Sequence, residues 1–185
     1  MKNAIVLCSG GLDSVVTAHY IKKKLNYNRI KILFFNYKQR NLVAERKYAK
    51  NCAKDINADF IKVNLSFLNN FSSSLINSDK KAKSLKRNDL KNTKEESRKW
   101  YVPARNLIFL SIALSLAESF FIKEEQKYDI FVGFKCEGKE SYPDTTKGFI
   151  NKINEISKIS TAGRFKIFSP LIKKDKEDIV LLGKK

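Results

Sequence analysis

At 185 residues the chain is long enough for one domain with a sizeable core, and no charged-then-apolar leader opens it as a secretory signal would. Its three cysteines (Cys8, Cys52 and Cys136) are odd in number and far apart, which excludes a disulfide framework and reads as reduced core thiols of a cytosolic protein. Lys and Arg outnumber Asp and Glu by 37 to 19, a formal charge of +18 that would draw a polyanion such as tRNA; but the lysines run along the whole length and Arg supplies few of the charges, so composition bias is the stronger reading and a tRNA-binding face the weaker.

In chain order, Ala4-Ile5-Val6-Leu7-Cys8 is a short apolar run that reads as a buried parallel strand. A helix is expected from Val15 to Ile21, and between the two lies Ser9-Gly10-Gly11-Leu12-Asp13-Ser14. A strand, a small-residue loop and a helix start make an anion site. The glycines let backbone N–H groups turn inward, the helix N-terminus adds partial positive charge, and Ser9 and Ser14 add hydroxyls, with Ser14 placed as the N-cap. The loop has no lysine, unlike G-x-x-x-x-G-K-[ST], and no third glycine, unlike G-x-G-x-x-G. An aspartate inside a phosphate cradle repels a bare anion, so Asp13 implies a bound Mg²⁺ or an amine. The spacing resembles the pyrophosphate loop of the ATP pyrophosphatase (PP-loop) superfamily, whose members cleave ATP between the α and β phosphates and adenylate a substrate.

Ile30 to Phe35 reads as the second strand, ending in Asn36-Tyr37-Lys38-Gln39-Arg40 at the carboxyl edge where open α/β sheets bind ligands. A helix from about Leu42 to Asp55 and a third strand, Asp59 to Asn64, follow with the spacing of right-handed crossovers. From Ser66 to about Lys99 the chain turns polar and lysine-rich, leaving little to bury, and this insertion reads either as a solvated loop or as a lid over the nucleotide site. Trp100-Tyr101-Val102-Pro103-Ala104-Arg105-Asn106 leads into Leu107–Ile122, nearly all apolar. This run is shorter than a membrane span and carries Glu118 and several serines, so it is expected to be a central buried helix with Pro103 in its first turn. Tyr128 to Phe134 is the fourth strand, followed by a second polar loop, Cys136 to Asp144. A helix from about Thr146 to Ile159, a fifth strand at Phe165–Phe168, a break at Ser169-Pro170-Leu171, and a last helix from Asp175 to Leu182 complete the chain.

Several stretches together resemble one family. Val102-Pro103-Ala104-Arg105-Asn106 is similar to the V-P-A-R-N signature of the 7-cyano-7-deazaguanine synthase (QueC) family. So are Phe35 to Arg40, Leu65-Ser66-Phe67-Leu68, Tyr142-Pro143-Asp144 followed by Phe149-Ile150, and Ser169-Pro170-Leu171-Ile172, all in the family's order around its S-G-G-L-D-S loop. The resemblance implies conversion of 7-carboxy-7-deazaguanine, ammonia and ATP to the nitrile precursor of queuosine and archaeosine. The nucleotide would lie along Leu7, Cys8, Ser9, Gly10, Gly11, Leu12, Asp13, Ser14, Val15, Val16 and Thr17. Asp13 and Arg105 would carry the chemistry, with Asp13 placing Mg²⁺ on the phosphates. Tyr37, Gln39, Arg105, Asn106, Tyr142 and Asp144 would meet the substrate.

The sequence also departs from that pattern. Asn36-Tyr37-Lys38-Gln39 stands where the family has D-Y-G-Q. Lys135, Gly138, Glu140 and Ser141 fall near the polar positions of its G-x-N-x-x-D-x-S-G run, and Thr145-Thr146 follows Asp144 where Cys-Arg is usual. The family's four zinc-binding cysteines have no counterpart in these 185 residues, and Cys8, Cys52 and Cys136 cannot replace them at those spacings. The expectation is thus a doubly wound, Rossmann-like α/β domain over residues 1–185. It has a parallel sheet of about five strands, binds ATP at the carboxyl edge near strand one, and turns over slowly or not at all in this form. A homodimer fits, and no membrane partner does. The rivals are another PP-loop enzyme that adenylates tRNA or a different carboxylate, and a nucleotide-binding relative without turnover.

Overall fold

Side-chain alternation in the strands sets the layers. Ala4 and Val6 of β1 (Asn3–Leu7) point to one face and Ile5 to the other. In β2 (Arg29–Asn36), Ile30, Ile32 and Phe34 take the first face, and Leu33 and Phe35 the second. Both faces are apolar, as they must be in a parallel strand covered on each side. The computed structural model describes residues 2–72, 74–76, 99–135 and 142–184. Its sheet has the order β3-β2-β1-β4-β5 and every pairing is parallel, with β3 at Asp59–Asn64, β4 at Asp129–Phe131 and β5 at Ile167–Phe168. Helices α1 (Leu12–Lys23) and α2 (Leu42–Asp55) cover the first face through Ala18, Ile21, Ala49, Cys52 and Ala53. On the other face α4 (Arg105–Glu124) buries Leu110, Ala113 and Ala117, and α5 (Lys147–Ser160) buries Ile150 and Ile153. The last helix, α6 (Lys176–Gly183), docks on α1 through Ile179, Leu171 and Val16.

The expected elements stand with shifted ends. Ser14 lies inside α1 rather than at its cap; Gly11 is the cap residue, because the Ser14 hydroxyl turns back to donate to the Gly11 carbonyl at 2.8 Å. Pro103 stands before α4, not in its first turn. The helix starts only after Ala104, which takes the left-handed conformation at φ 51°, and the Ala104 N–H donates to the Tyr101 hydroxyl at 3.2 Å. The fourth strand stops at Phe131 and the fifth begins at Ile167, both shorter than their apolar runs, since Phe165 turns into the core and its carbonyl accepts from Ser157 Oγ at 2.9 Å. Thr146 and Asp175 cap α5 and α6, accepting from the N–H groups of Phe149 at 3.1 Å and Asp178 at 2.8 Å.

Helix α4 is long and apolar enough to cross a membrane by length and composition alone, with a mean hydropathy of 1.5. It is less central than its sequence suggests: one side packs on β1 and β4, while Leu107, Ser111, Ser115 and Ile122 face outward. In the described part of the insertion, Leu68 of the short helix α3 (Leu68–Phe71) is a core residue beside Leu65, and the Leu75 N–H donates to the Lys99 carbonyl at 2.7 Å. Residues 77–98 and 136–141, including Cys136, Gly138, Glu140 and Ser141, lie outside the described residues.

Burial ranks the phenylalanines. Phe34 is 0% exposed at the centre of the α1–α2 face and Phe71 is 71% exposed. Phe34→Ala is expected to cost about 3–5 kcal/mol and Phe71→Ala at most about 0.5 kcal/mol, compared by denaturant midpoint at constant slope.

Candidate functional site

The sheet winds in opposite directions from β1. The β1–β2 and β2–β3 crossovers run on one face, and the connections to β4 and β5 on the other. The loops leaving β1 and β4 therefore part at their carboxyl ends and open a crevice. A cavity of about 390 Å³ occupies it. Its walls come from the ends of three strands and the starts of three helices: Leu7 to Ser9 with Gly11–Ser14, alternate residues from Leu33 to Gln39, Glu45, Arg105, Asn106 and Phe109, and Val132 to Phe134. A cavity of about 490 Å³ between α1 and α6 is larger, but it is lined mainly by helix sides such as Val15, His19 and Val180 and has no anion-binding loop.

The loop after β1 is built by two close approaches. Gly10 sits at φ +81°, and a Cβ there would collide with the Glu45 backbone carbonyl of α2. Gly133, just past β4, lies against the start of α1, where a Cβ would come 2.9 Å from the Asp13 carbonyl. Hydroxyls hold the shape. The Gly11 N–H donates to Ser9 Oγ at 3.3 Å, Ser9 Oγ and Ser14 Oγ are 3.4 Å apart, and the Cys8 thiol donates to Ser14 Oγ at 3.5 Å. With α1 starting at Leu12, its first turn and its positive dipole end face the cavity.

Opposite the loop is Arg105, the first residue of α4. Its Nη1 donates to the Tyr37 hydroxyl at 3.2 Å, and the guanidinium lies 5.6 Å from the Tyr37 ring centroid and 6.0 Å from that of Phe109. It forms no ion pair among the described residues, and its Nε is buried without a hydrogen-bond partner there. A buried donor left in this state is set for an anion from outside the chain. Burial raises the Tyr37 hydroxyl's pKa against the opposing pull of Arg105, so that hydroxyl stays protonated.

The expected site residues divide. Leu7, Cys8, Ser9, Gly11, Leu12, Asp13, Ser14, Tyr37, Gln39, Arg105, Asn106 and Tyr142 line the cavity, and Gly10 makes its turn. Val15, Val16 and Thr17 do not line it: Val15 and Val16 pack in the core, and Thr17 Oγ1 donates to the Asp13 carbonyl at 2.7 Å. Asp144 is held away from the cavity. Its Oδ2 accepts from the Asn106 N–H and its carbonyl from Asn106 Nδ2, each at 3.3 Å, so it anchors the start of α4. Tyr142 stacks on Tyr101 with centroids 5.7 Å apart. Lys38, where the resemblance has glycine, adopts φ 58°. Among the described residues no cluster of His, Cys, Asp and Glu is arranged to hold a metal. Glu45 and Gly133 are among the lining residues that the sequence did not mark as site residues. Glu45 looked like any surface charge on a helix. Gly133 had a signal, since a lone glycine in a strand run often marks a close backbone approach.

The profile of the family described as "Queuosine biosynthesis protein QueC" matches residues 3–185. The chain belongs to the QueC family. Proteins named 7-cyano-7-deazaguanine synthase from Pyrococcus horikoshii and Methanocaldococcus jannaschii are 33% and 35% identical to it. The alignments take in 100% and 97% of this chain, and 76% and 75% of those relatives. Among solved structures, a 4-thiouridine synthetase in complex with RNA and ATP superposes with a TM-score of 0.54 at 18% identity, and this chain spans 40% of that one. That likeness shows a shared α/β fold for this QueC chain.

Gly10→Ala should loosen the loop, since a left-handed alanine costs about 1–2 kcal/mol before any clash. The expected result is at least a tenfold weaker affinity for inorganic pyrophosphate by titration calorimetry, in a domain that still melts cooperatively.

Proposed function

We propose that this cavity adenylates 7-carboxy-7-deazaguanine with ATP and, with ammonia, carries it through the amide to the nitrile 7-cyano-7-deazaguanine. The observation that carries the reading is the pairing, across one crevice, of the Ser9–Ser14 loop with the buried, unpaired Arg105 Nε. Relatives of that name match over the full length of the chain.

A carboxylate resists attack by nitrogen until one of its oxygens can leave. Transfer of AMP to that oxygen makes it a leaving group, and pyrophosphate departs. The loop N–H groups and the first turn of α1 would hold the departing pyrophosphate and stabilise the charge it gains. Asp13, the carboxylate in the first turn of α1, would hold Mg²⁺ together with the phosphate oxygens, and the ion would neutralise phosphate charge when bound. Arg105 would hold the substrate carboxylate or the α-phosphate, with Tyr37 and Phe109 bracing its guanidinium. Tyr142 and Phe35 offer flat walls for a bicyclic base. Displacement of AMP by ammonia gives the amide. A second adenylation, now on the amide oxygen, lets that oxygen leave with AMP as the nitrogen loses its protons, and the nitrile remains.

The test is incubation with ATP, 7-carboxy-7-deazaguanine and ammonium, with AMP and pyrophosphate assayed and the product identified by mass spectrometry. The amide should be accepted in place of the acid. Asp13→Asn and Ser14→Ala are expected to impair turnover without unfolding the domain, and Arg105→Ala to lower it at least about tenfold, the loss of one charge-assisted hydrogen bond. Full turnover in all three variants, or AMP formation only with an unrelated carboxylate, would replace this reading.

A further inference from the structure

We propose that Glu45 is the ammonium site of the cavity, binding NH₄⁺ through its carboxylate and taking the proton that keeps the nitrogen from attacking. The inference rests on the carboxylate-to-nitrile reading, which requires a nitrogen donor, and it names the residue that receives it.

Asp13 and Glu45 are the two carboxylates among the described lining residues. Asp13 belongs to the pyrophosphate loop's side, in the first turn of α1, whereas Glu45 enters from the first turn of α2, near Tyr37 and Arg105. Gln39 fixes its position. That side chain is 2% exposed, and its Oε1 accepts the Tyr37 N–H at 3.0 Å. Its Nε2 donates to the Phe35 carbonyl and to Glu45 Oε2, each at 3.0 Å. With every amide atom of Gln39 engaged, it cannot flip, and it always presents a donor to Glu45. Oε2 is thereby held, while Oε1 accepts no hydrogen bond from any described residue, and Glu45 forms no ion pair among them. The nearest cation, Arg105, gives its Nη1 to the Tyr37 hydroxyl instead.

A half-buried carboxylate with one oxygen oriented and one open is matched by a small cation rich in N–H donors. An anion is repelled. The groups facing Glu45 are Gln39 and Tyr37 from the end of β2 and Arg105 from α4, with Asp13 of α1 across the same cavity. Burial raises the Glu45 carboxyl above its ordinary value, against the lowering by Gln39 and Arg105, which makes it a better proton acceptor than a solvated carboxylate. In the step, Glu45 takes one proton from NH₄⁺. The nitrogen lone pair forms the C–N bond to the adenylated carbonyl, the C–O bond to AMP breaks, and its electron pair leaves on the phosphate. The nitrogen's second proton passes to that phosphate or to water, leaving the amide.

The experiment measures two partial reactions on the wild type, Glu45→Gln and Glu45→Asp, each checked by thermal melt. One is exchange of labelled pyrophosphate into ATP, dependent on 7-carboxy-7-deazaguanine and run without ammonium. The other is amide formation against ammonium concentration and pH. In Glu45→Gln the ammonium needed for half-maximal rate should rise at least tenfold, the pH profile should move upward because only free ammonia from solvent then serves, and exchange should fall far less. Glu45→Asp keeps the charge and should be intermediate, and it carries the test if the Gln variant melts early. An unchanged ammonium requirement, or a rise in the ATP requirement in its place, overturns the ammonium site while wild-type exchange upholds the parent reading. Absence of exchange in the wild type overturns both.

Discussion

The position of β1 in the sheet governs the rest of this molecule. With β2 on one side and β4 on the other, the chain cannot cross both ways on the same face, so α1 and α2 lie on one and α4 and α5 on the other. The connections diverge where β1 and β4 end. The gap is walled by apolar side chains such as Leu33, Phe35, Phe109 and Val132 and by the polar loop after β1. The Ser9–Ser14 loop sits there, and the second residue past β4 is as small as the loop's own glycines. Gly133 against the start of α1 and Gly10 against the Glu45 carbonyl are two sides of one constraint, the close passage of three backbones around a crevice.

That constraint ties structure to chemistry through the start of α4. Arg105 points into the crevice because the preceding turn is forced. Ala104 takes a left-handed conformation, the Tyr101 hydroxyl accepts its N–H, and Asp144 accepts the N–H of Asn106. Asp144 and Asn106 thus fix the helix end that carries Arg105, and Asn106 also lines the cavity. The arginine is left with two aromatic rings, one hydroxyl contact and no carboxylate partner among the described residues, an arrangement whose electrostatic complement is an anion.

The charge layout inside the cavity is equally selective. The loop and helix start favour phosphate, Arg105 favours a carboxylate or phosphate, and Glu45, braced by the locked amide of Gln39, favours a cation on the side away from Asp13. Three subsites of different sign within one crevice suit a reaction that brings a triphosphate, an acid and a nitrogen base together.

Much of this was legible in the residues themselves. The boundaries of α2 and β3, the Ser9–Ser14 cradle and the V-P-A-R-N stretch are local signals, carried by periodicity, turn chemistry and short motifs that need no partner to be read. The misplaced features depended on distant residues. Ser14 is not the cap, Pro103 stands before its helix, and Val15 to Thr17 lie outside the cavity lining, because the geometry of a helix start is decided by what packs across it. Glu45 was invisible for the same reason: in sequence it is one charge among many on an amphipathic helix, and only the fold sets it against Gln39. The sequence by itself determined the order of the main elements, the doubly wound class and the glycine loop after β1, since these follow from patterning within a few residues. The tertiary structure alone decided which side chains share the crevice, because β1, α2, α4 and the turn after β4 are brought together by strand order and by glycines that permit their backbones to touch.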